Sequence, residues 1–192
     1  MAKNRRYTVK FRRRLAGKTN YKKRLKLVSA RTPRIIIRKS LNNFIIQLVD
    51  FDPKGDKVLT TVSSARLKDY GWNAHTGNMP AAYLTGLLFG NNLKNKNFNA
   101  ILDLGLYRSI KKSSIYAALK GVIDSGIKVK YSEEVLPLEG RITGKHISDY
   151  AKLIKNNGKY QKQFSNYAKN NFDALNFENH FKEVKNKILG KA

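Results

Sequence analysis

The first carboxylate in this 192-residue chain is Asp50. Before it, residues 1–40 hold sixteen Lys or Arg and no acid. Such a segment cannot neutralise itself by folding, because compaction brings like charges within a Debye length of one another. It needs acids from elsewhere in the chain or a polyanionic partner. The remaining residues hold 23 Lys or Arg and 13 acids, so the imbalance persists, and the whole chain carries a formal +26. Charge of this size, crowded at one end, points to nucleic acid as the partner.

The basic arm, residues 1–33, interleaves its cations with rings. Arg5, Arg6, Lys10, Arg12, Arg13, Arg14, Lys18, Lys22, Lys23, Arg24 and Lys26 run alongside Tyr7, Phe11 and Tyr21. Cations neutralise phosphates and release counterions, while rings and guanidinium planes stack on exposed bases. Gly17-Lys18-Thr19 imitates the end of a P-loop. Arg12, however, stands where that loop needs its first glycine, and a run of cations replaces the buried strand that should feed it, so no nucleotide cradle forms. The trio reads as a bend in a phosphate-tracking arm, with Lys18 and Thr19 as donors. Thr19 or Asn20 caps a short helix carrying Tyr21, Leu25 and Val28 on one side and ending before Pro33. Ahead of that helix the arm is expected to be extended or disordered until its partner orders it.

Residues 34–132 read as one α/β domain. "RIIIR" (34–38), "FIIQLVDF" (44–51) and "KVLTTVS" (57–63), separated by the turns "SLNN" and "DPKG", predict a three-stranded antiparallel meander. Asn78-Met79-Pro80 opens a helix through "AAYLTGLLFG", apolar on nearly every side and therefore buried against the sheet. "NAILDLGL" (99–106) predicts a fourth strand. Ser113 or Ser114 caps the helix "IYAALKGVIDS", Gly126 closes it, and "IKVKY" (127–131) is the last strand. A meander followed by α-β-α-β makes a mixed α/β sheet of ribonuclease H-like arrangement. Residues 133–192 form a helical extension, with stripes at Ile147, Tyr150, Ala151, Ile154; at Phe164, Tyr167, Ala168; and at Phe177, Phe181, Val184, Ile188.

That strand order invites a nuclease reading, but the chemistry is missing. Two-metal nucleases need several converging carboxylates. Here Asp103 stands alone on the fourth strand, where a hydrogen-bonding role is the simpler reading, and Asp50 and Asp52 lie at the far end of the second. The chain has no Cys, and His75, His146 and His180 lack metal-ligand spacing. His146 and His180 read as structural or surface residues, and Trp72 as a residue packed at the core edge. Ser109 and Lys112 spell Ser-x-x-Lys without the companion motifs of that hydrolase class. No catalytic site, cofactor, metal or small-molecule substrate is expected. The N-terminus lacks the apolar stretch of a secretory signal, and no run is long enough to span a bilayer, so a cytoplasmic protein with no membrane partner is expected. Further candidate RNA contacts are Arg31, Arg34, Arg38 and Lys39 at the entrance to the domain, His75 in the loop "GWNAHTGN", Arg108, Lys111 and Lys112 after the fourth strand, and Lys145 near the tail's first helix.

The stretches "KFRRRLAGKTNYKKRLKLV", "GWNAHTGNMPAAYLTGLLFG", "LDLGL", "AALKGVIDSG", "GRITGKHISDYAKLI" and "YQKQFSNYAKN" resemble, in this order, the L-eighteen family of large-subunit ribosomal proteins, in its archaeal and eukaryotic type. The resemblance runs from about Arg5 to Asn170. Bacterial members are similar only over the arm and the α/β domain. The resemblance implies a non-catalytic protein that binds 5S rRNA and helps attach it to the large-subunit rRNA in the central protuberance, beside neighbouring large-subunit proteins. It also implies rRNA contacts along Arg12 to Arg24 and a role as fold core for Pro80 to Gly90. The chain departs from the family's common pattern at "RSIKKSSIY" (108–116), which often holds a Gly, and at Lys130-Tyr131, often Pro-His.

Overall fold

The sheet is organised around Arg34–Lys39 (β1), where Ile35 and Ile37 are wholly buried and Arg34, Ile36 and Arg38 project from the opposite side. The structure, a computed structural model, describes residues 8–93, 98–155, 159–170 and 172–190. Phe44–Asp50 (β2) pairs antiparallel with β1, and Lys57–Ser63 (β3) pairs antiparallel with β2, with an irregularity at Leu48/Val49. Asn99–Asp103 (β4) lies parallel to the other edge of β1, and Lys128–Val129 (β5) parallel to β4. The result is a mixed five-stranded sheet in the order β3-β2-β1-β4-β5.

Two elements are shorter than their sequence runs. β4 stops at Asp103 rather than at residue 106, because Gly105 takes φ +58° and the Tyr107 N–H closes a turn onto Leu104 O at 3.1 Å. β5 keeps two of the five residues expected. A 3₁₀ helix, Ser64–Tyr70, follows β3 where no element was anticipated.

Helix Met79–Asn91 (α3) starts as its sequence dictates. The Asn78 side chain accepts from the Ala81 N–H at 2.8 Å, and Pro80 occupies the first turn. Every residue from Pro80 to Gly90 is buried. Helix Ser114–Asp124 (α4) begins after Ser113, whose side chain makes no capping hydrogen bond. α3 and α4 join one hydrophobic core with the inner sheet residues Ile35, Ile37, Phe44, Ile46 and Val62.

The tail contributes to that core. It comprises Glu139–Ile142 (α5), Lys145–Lys155 (α6), Tyr160–Gln163 (α7), Ser165–Lys169 (α8) and Phe177–Ile188 (α9). Phe177, Phe181, Val184 and Ile188 of α9 are all buried in the same cluster as α3 and α4. Trp72 is nearly fully buried, meeting Phe177 edge-on at 5.5 Å and stacking on His180 at 5.1 Å. His180 Nε2 accepts from the Asn73 N–H at 3.2 Å, so the loop before α3 is fastened to the tail. In α6 the buried face is Ser148, Ala151 and Ile154, while Tyr150 is exposed, a stripe rotated from the one its apolar residues suggested.

Candidate nucleic-acid interface

The outer face of the sheet carries an alternating line of charges. β1 pairs parallel with β4 so that Ile36 stands opposite Asp103. The acid therefore lies between Arg34 and Arg38, each two residues away on the same face of β1. Arg34 Nη1 is 3.3 Å from Asp103 Oδ2, and Arg38 Nη2 is 3.5 Å from Asp103 Oδ1. Asp56, just after the β2–β3 turn, takes the other nitrogen of Arg34 at 2.7 Å. Asp56 also receives both terminal nitrogens of Arg24 in a fork, at 2.7 and 2.8 Å. Arg24 belongs to Tyr21–Ser29 (α2), the helix of the arm. The line reads Arg24, Asp56, Arg34, Asp103, Arg38.

Burial makes this line obligatory. The Arg34 side chain is only 2% exposed, and a guanidinium so placed needs acids around it. The Arg24 bond holds the Asp56 carboxyl below the usual carboxylate range, against the opposing effect of burial, with Arg34 adding to it. The same bond raises Arg24 above its ordinary value. Gly105 completes the arrangement: a β-carbon there would stand 2.7 Å from Arg38 Nη2, so only glycine lets Arg38 reach the Asp103 carbonyl at 2.9 Å.

Arm and sheet enclose an open cleft of about 560 Å³. Its floor is Arg34, Ile36, Gln47 and Asp103. One wall is arm, with Arg13, Lys18, Thr19, Lys23 and Lys26; the other is Arg38, Tyr107 and Ser109. Arg12–Leu15 (α1) is a single helical turn with nothing buried, so part of the arm expected to be extended is coiled. Gly17 turns the chain with φ +63°, and Arg13 Nε donates to Thr19 Oγ1 at 2.9 Å, closing the bend foreseen at Gly17-Lys18-Thr19. Asn20 caps α2, accepting from the Lys23 N–H at 3.2 Å. The face that α2 turns inward is Arg24, Leu27 and Val28, whereas Leu25 is 70% exposed. Phe11 and Tyr21 pair at 5.0 Å and tie the first turn to α2.

The expected contact residues divide clearly. Arg13, Lys18, Thr19, Lys23, Arg24, Lys26, Arg34 and Arg38 converge on the cleft. Lys10, Phe11, Arg12, Arg14, Lys22 and Arg31 are exposed, and Tyr21 is half-buried. Arg34 is the exception to the expected surface role, since it lies inside the fold with both acids on it. Lys39 holds its ammonium 5.8 Å from the Phe44 ring centre, and Tyr107 bridges its backbone N–H and carbonyl. His75, Lys111, Lys112 and Lys145 do not line the cleft, and Arg108, between the lining residues Tyr107 and Ser109, stands at its edge. His75 Nδ1 accepts from the Gly77 N–H at 3.0 Å, and Lys111 pairs with Glu134 at 2.6 Å on the surface. Arg5, Arg6 and Tyr7 lie outside the described residues.

Asp56, Gly105 and Tyr107 escaped the sequence reading. A Gly two residues after the only acid of a buried strand was a signal for the second of these; Asp56 carried none. The residues considered for catalysis have other engagements. Asp103 is taken by two arginines, Asp52 accepts from the Lys54 N–H at 2.9 Å, and Ser109 is hydrogen-bonded to the Tyr116 hydroxyl rather than to Lys112. Among the described residues no three His, Asp or Glu gather as a metal site, and no helix is long and apolar enough to cross a membrane.

The profile of the family described as "Ribosomal large subunit proteins 60S L5, and 50S L18" matches residues 5–97 and 91–132. The chain belongs to this family. It is a ribosomal protein of the large subunit, an rRNA-binding component of a ribonucleoprotein that serves translation on cytoplasmic ribosomes. The matched residues take in the basic arm, all five strands, α3 and α4; the tail from residue 133 onward lies beyond them.

Proposed function

We propose that this protein binds 5S rRNA and holds it to the large-subunit rRNA in the central protuberance, without catalysing a reaction. The observation that carries the reading is the continuity of the cationic surface: Arg13, Lys18, Lys23, Arg24 and Lys26 of the arm line one cleft with the outer face of the sheet. Phosphates meet Arg13, Lys18, Lys23 and Lys26 along one wall of the cleft and Arg38 on the other. Because A-form grooves hide base edges from side chains, recognition rests on the shape of the folded RNA and on stacking by Tyr7, Phe11 and Tyr21. The working division is an rRNA-binding arm (1–33), an α/β body (34–132) and a tail (133–192) that docks on large-subunit rRNA or on a neighbouring ribosomal protein. The non-catalytic reading is supported by Asp103, whose carboxylate is already committed to Arg34 and Arg38.

The test is binding of the intact protein to 5S rRNA and to an unrelated RNA of equal length across a salt series. A preference for 5S rRNA that survives at physiological salt supports the proposal. Equal and steeply salt-dependent binding to both RNAs overturns it, since only charge would then be read.

A further inference from the structure

Asp56 is a paradox for a protein that captures a polyanion. It places a carboxylate, with its side chain 22% exposed, in the wall of a cleft lined by Lys and Arg, where it repels phosphate. Removing it would raise the formal charge above +26. Its partners explain its presence. Its two oxygens meet both terminal nitrogens of Arg24 within 2.8 Å, and one of them also meets Arg34 at 2.7 Å. α2 has nine residues, too few to be a stable helix alone, where about 12–15 are needed, and its inward apolar residues Leu27 and Val28 are only half-buried. Among the described residues, the charge-assisted fork from Arg24 to Asp56 is what fastens α2 to the segment entering β3.

Resting on the rRNA-binding reading, we infer that Asp56 is a positioning residue for RNA recognition: by clamping Arg24 it seats α2 on the sheet before RNA arrives and turns Lys23 and Lys26 towards the phosphates. Arg24 is then a latch and not an RNA contact, since both terminal nitrogens are committed. An arm already ordered loses less conformational freedom on binding than a free one, so this acid strengthens the capture of a polyanion while subtracting charge.

The decisive variant is Asp56→Asn, compared with wild type on 5S rRNA over a salt series. Charge alone predicts tighter binding. The clamp predicts binding about three- to tenfold weaker, with the salt slope unchanged, the range expected for a partly exposed fork. Asp56→Glu should restore most of the loss. In the RNA-free protein, hydrogen exchange across α2 should lose protection in Asp56→Asn while α3 keeps its own. Arg24→Gln provides a second route that leaves the Arg34–Asp103 pair intact. It should weaken binding more than Lys22→Gln, which removes the same charge from the exposed side, and should deprotect α2 as Lys22→Gln does not. Asp56→Asn binding as tightly as wild type, with α2 still protected, overturns the clamp. The 5S reading fails separately, when wild type itself shows no preference for 5S rRNA.

Discussion

Gly86 of α3 and Gly121 of α4 meet where the two helices cross, and neither position has room for a β-carbon. One added at Gly86 would stand 2.1 Å from the Ala118 carbonyl oxygen, and one added at Gly121 would stand 2.1 Å from that of Tyr83. Both obstacles are backbone atoms, which cannot swing aside as a side chain can. Alanine within a helix is favoured over glycine by about 1 kcal/mol, but overpacking of a close contact costs about 1–3 kcal/mol and the clash here is severe. Gly121→Ala is therefore expected to destabilise the protein, read as a lower urea midpoint with an unchanged slope. A midpoint at or above wild type would show that α3 and α4 are free to separate.

Two ion pairs with short contacts should differ widely in worth. Arg34 is 2% exposed between Asp56 and Asp103, whereas Lys111 and Glu134, 2.6 Å apart, are 65% and 73% exposed. Removing one partner of a buried pair leaves a charge without compensation and costs about 3–5 kcal/mol. Arg34→Met should cost near the lower end, because Arg38 and the Gly105 N–H stay on Asp103 and Arg24 stays on Asp56. Lys111→Ala should cost under about 1 kcal/mol. Urea unfolding of both variants checks the contrast, and equal losses would contradict the buried network.

Local patterns were legible and long-range pairings were not. The alternation in "FIIQLVDF" and the Asn78-Met79-Pro80 start each specify an element through neighbouring residues, and β2 and α3 appear where expected. The stripe of α9 was equally plain, yet its place in the body's own core was not, because burial at Phe177 depends on Trp72, more than a hundred residues earlier. The rotation of α2 was misread for the same reason. Apolar spacing favoured Leu25, but the Arg24–Asp56 fork turns the helix by its charge, and no periodicity reports a partner 32 residues away. Arg34 looked like one more surface cation until the register of β1 against β4 set Asp103 beside it.

The clasp between tail and body should respond to pH. His180 stacks on Trp72, touches the Phe172 ring at 4.7 Å and accepts from the Asn73 N–H. Burial pulls its pKa below the ordinary value, with Lys187 acting in the same direction and Glu183 opposing. The folded state thus favours neutral imidazole, and the unfolded state binds more protons between the folded pKa and the ordinary value of about 6.5. Stability is complete above about 6.5 and declines as pH falls through that value towards the folded pKa. Thermal melts between about pH 7.5 and 5.5 should show wild type losing stability on acidification, and His180→Phe losing less. A smaller dependence should remain in the variant, because burial and Arg141 also lower the pKa of His146. An unchanged dependence in His180→Phe would remove His180 as its source.

The arm's triplet offers the most direct reading of charge. Arg12, Arg13 and Arg14 sit on the exposed turn α1, unburied, and of the three only Arg13 makes a side-chain hydrogen bond among the described residues, to Thr19. Each phosphate neutralised contributes about 0.7–0.9 to the slope of log affinity against log salt. Replacing all three with Ala should flatten that slope by about 2–3 if each meets a phosphate, and should weaken 5S rRNA binding most at low salt. Because α1 buries nothing, the urea midpoint should stay where it is. A slope that does not move would mean the triplet is a solvated face, leaving capture to Lys18, Lys23 and Lys26 around the cleft. A slope that flattens by only about 1 would fit Arg13 remaining bound to Thr19 and a single arginine reaching the RNA. Single substitutions at Arg12 and Arg14 would then identify which one does.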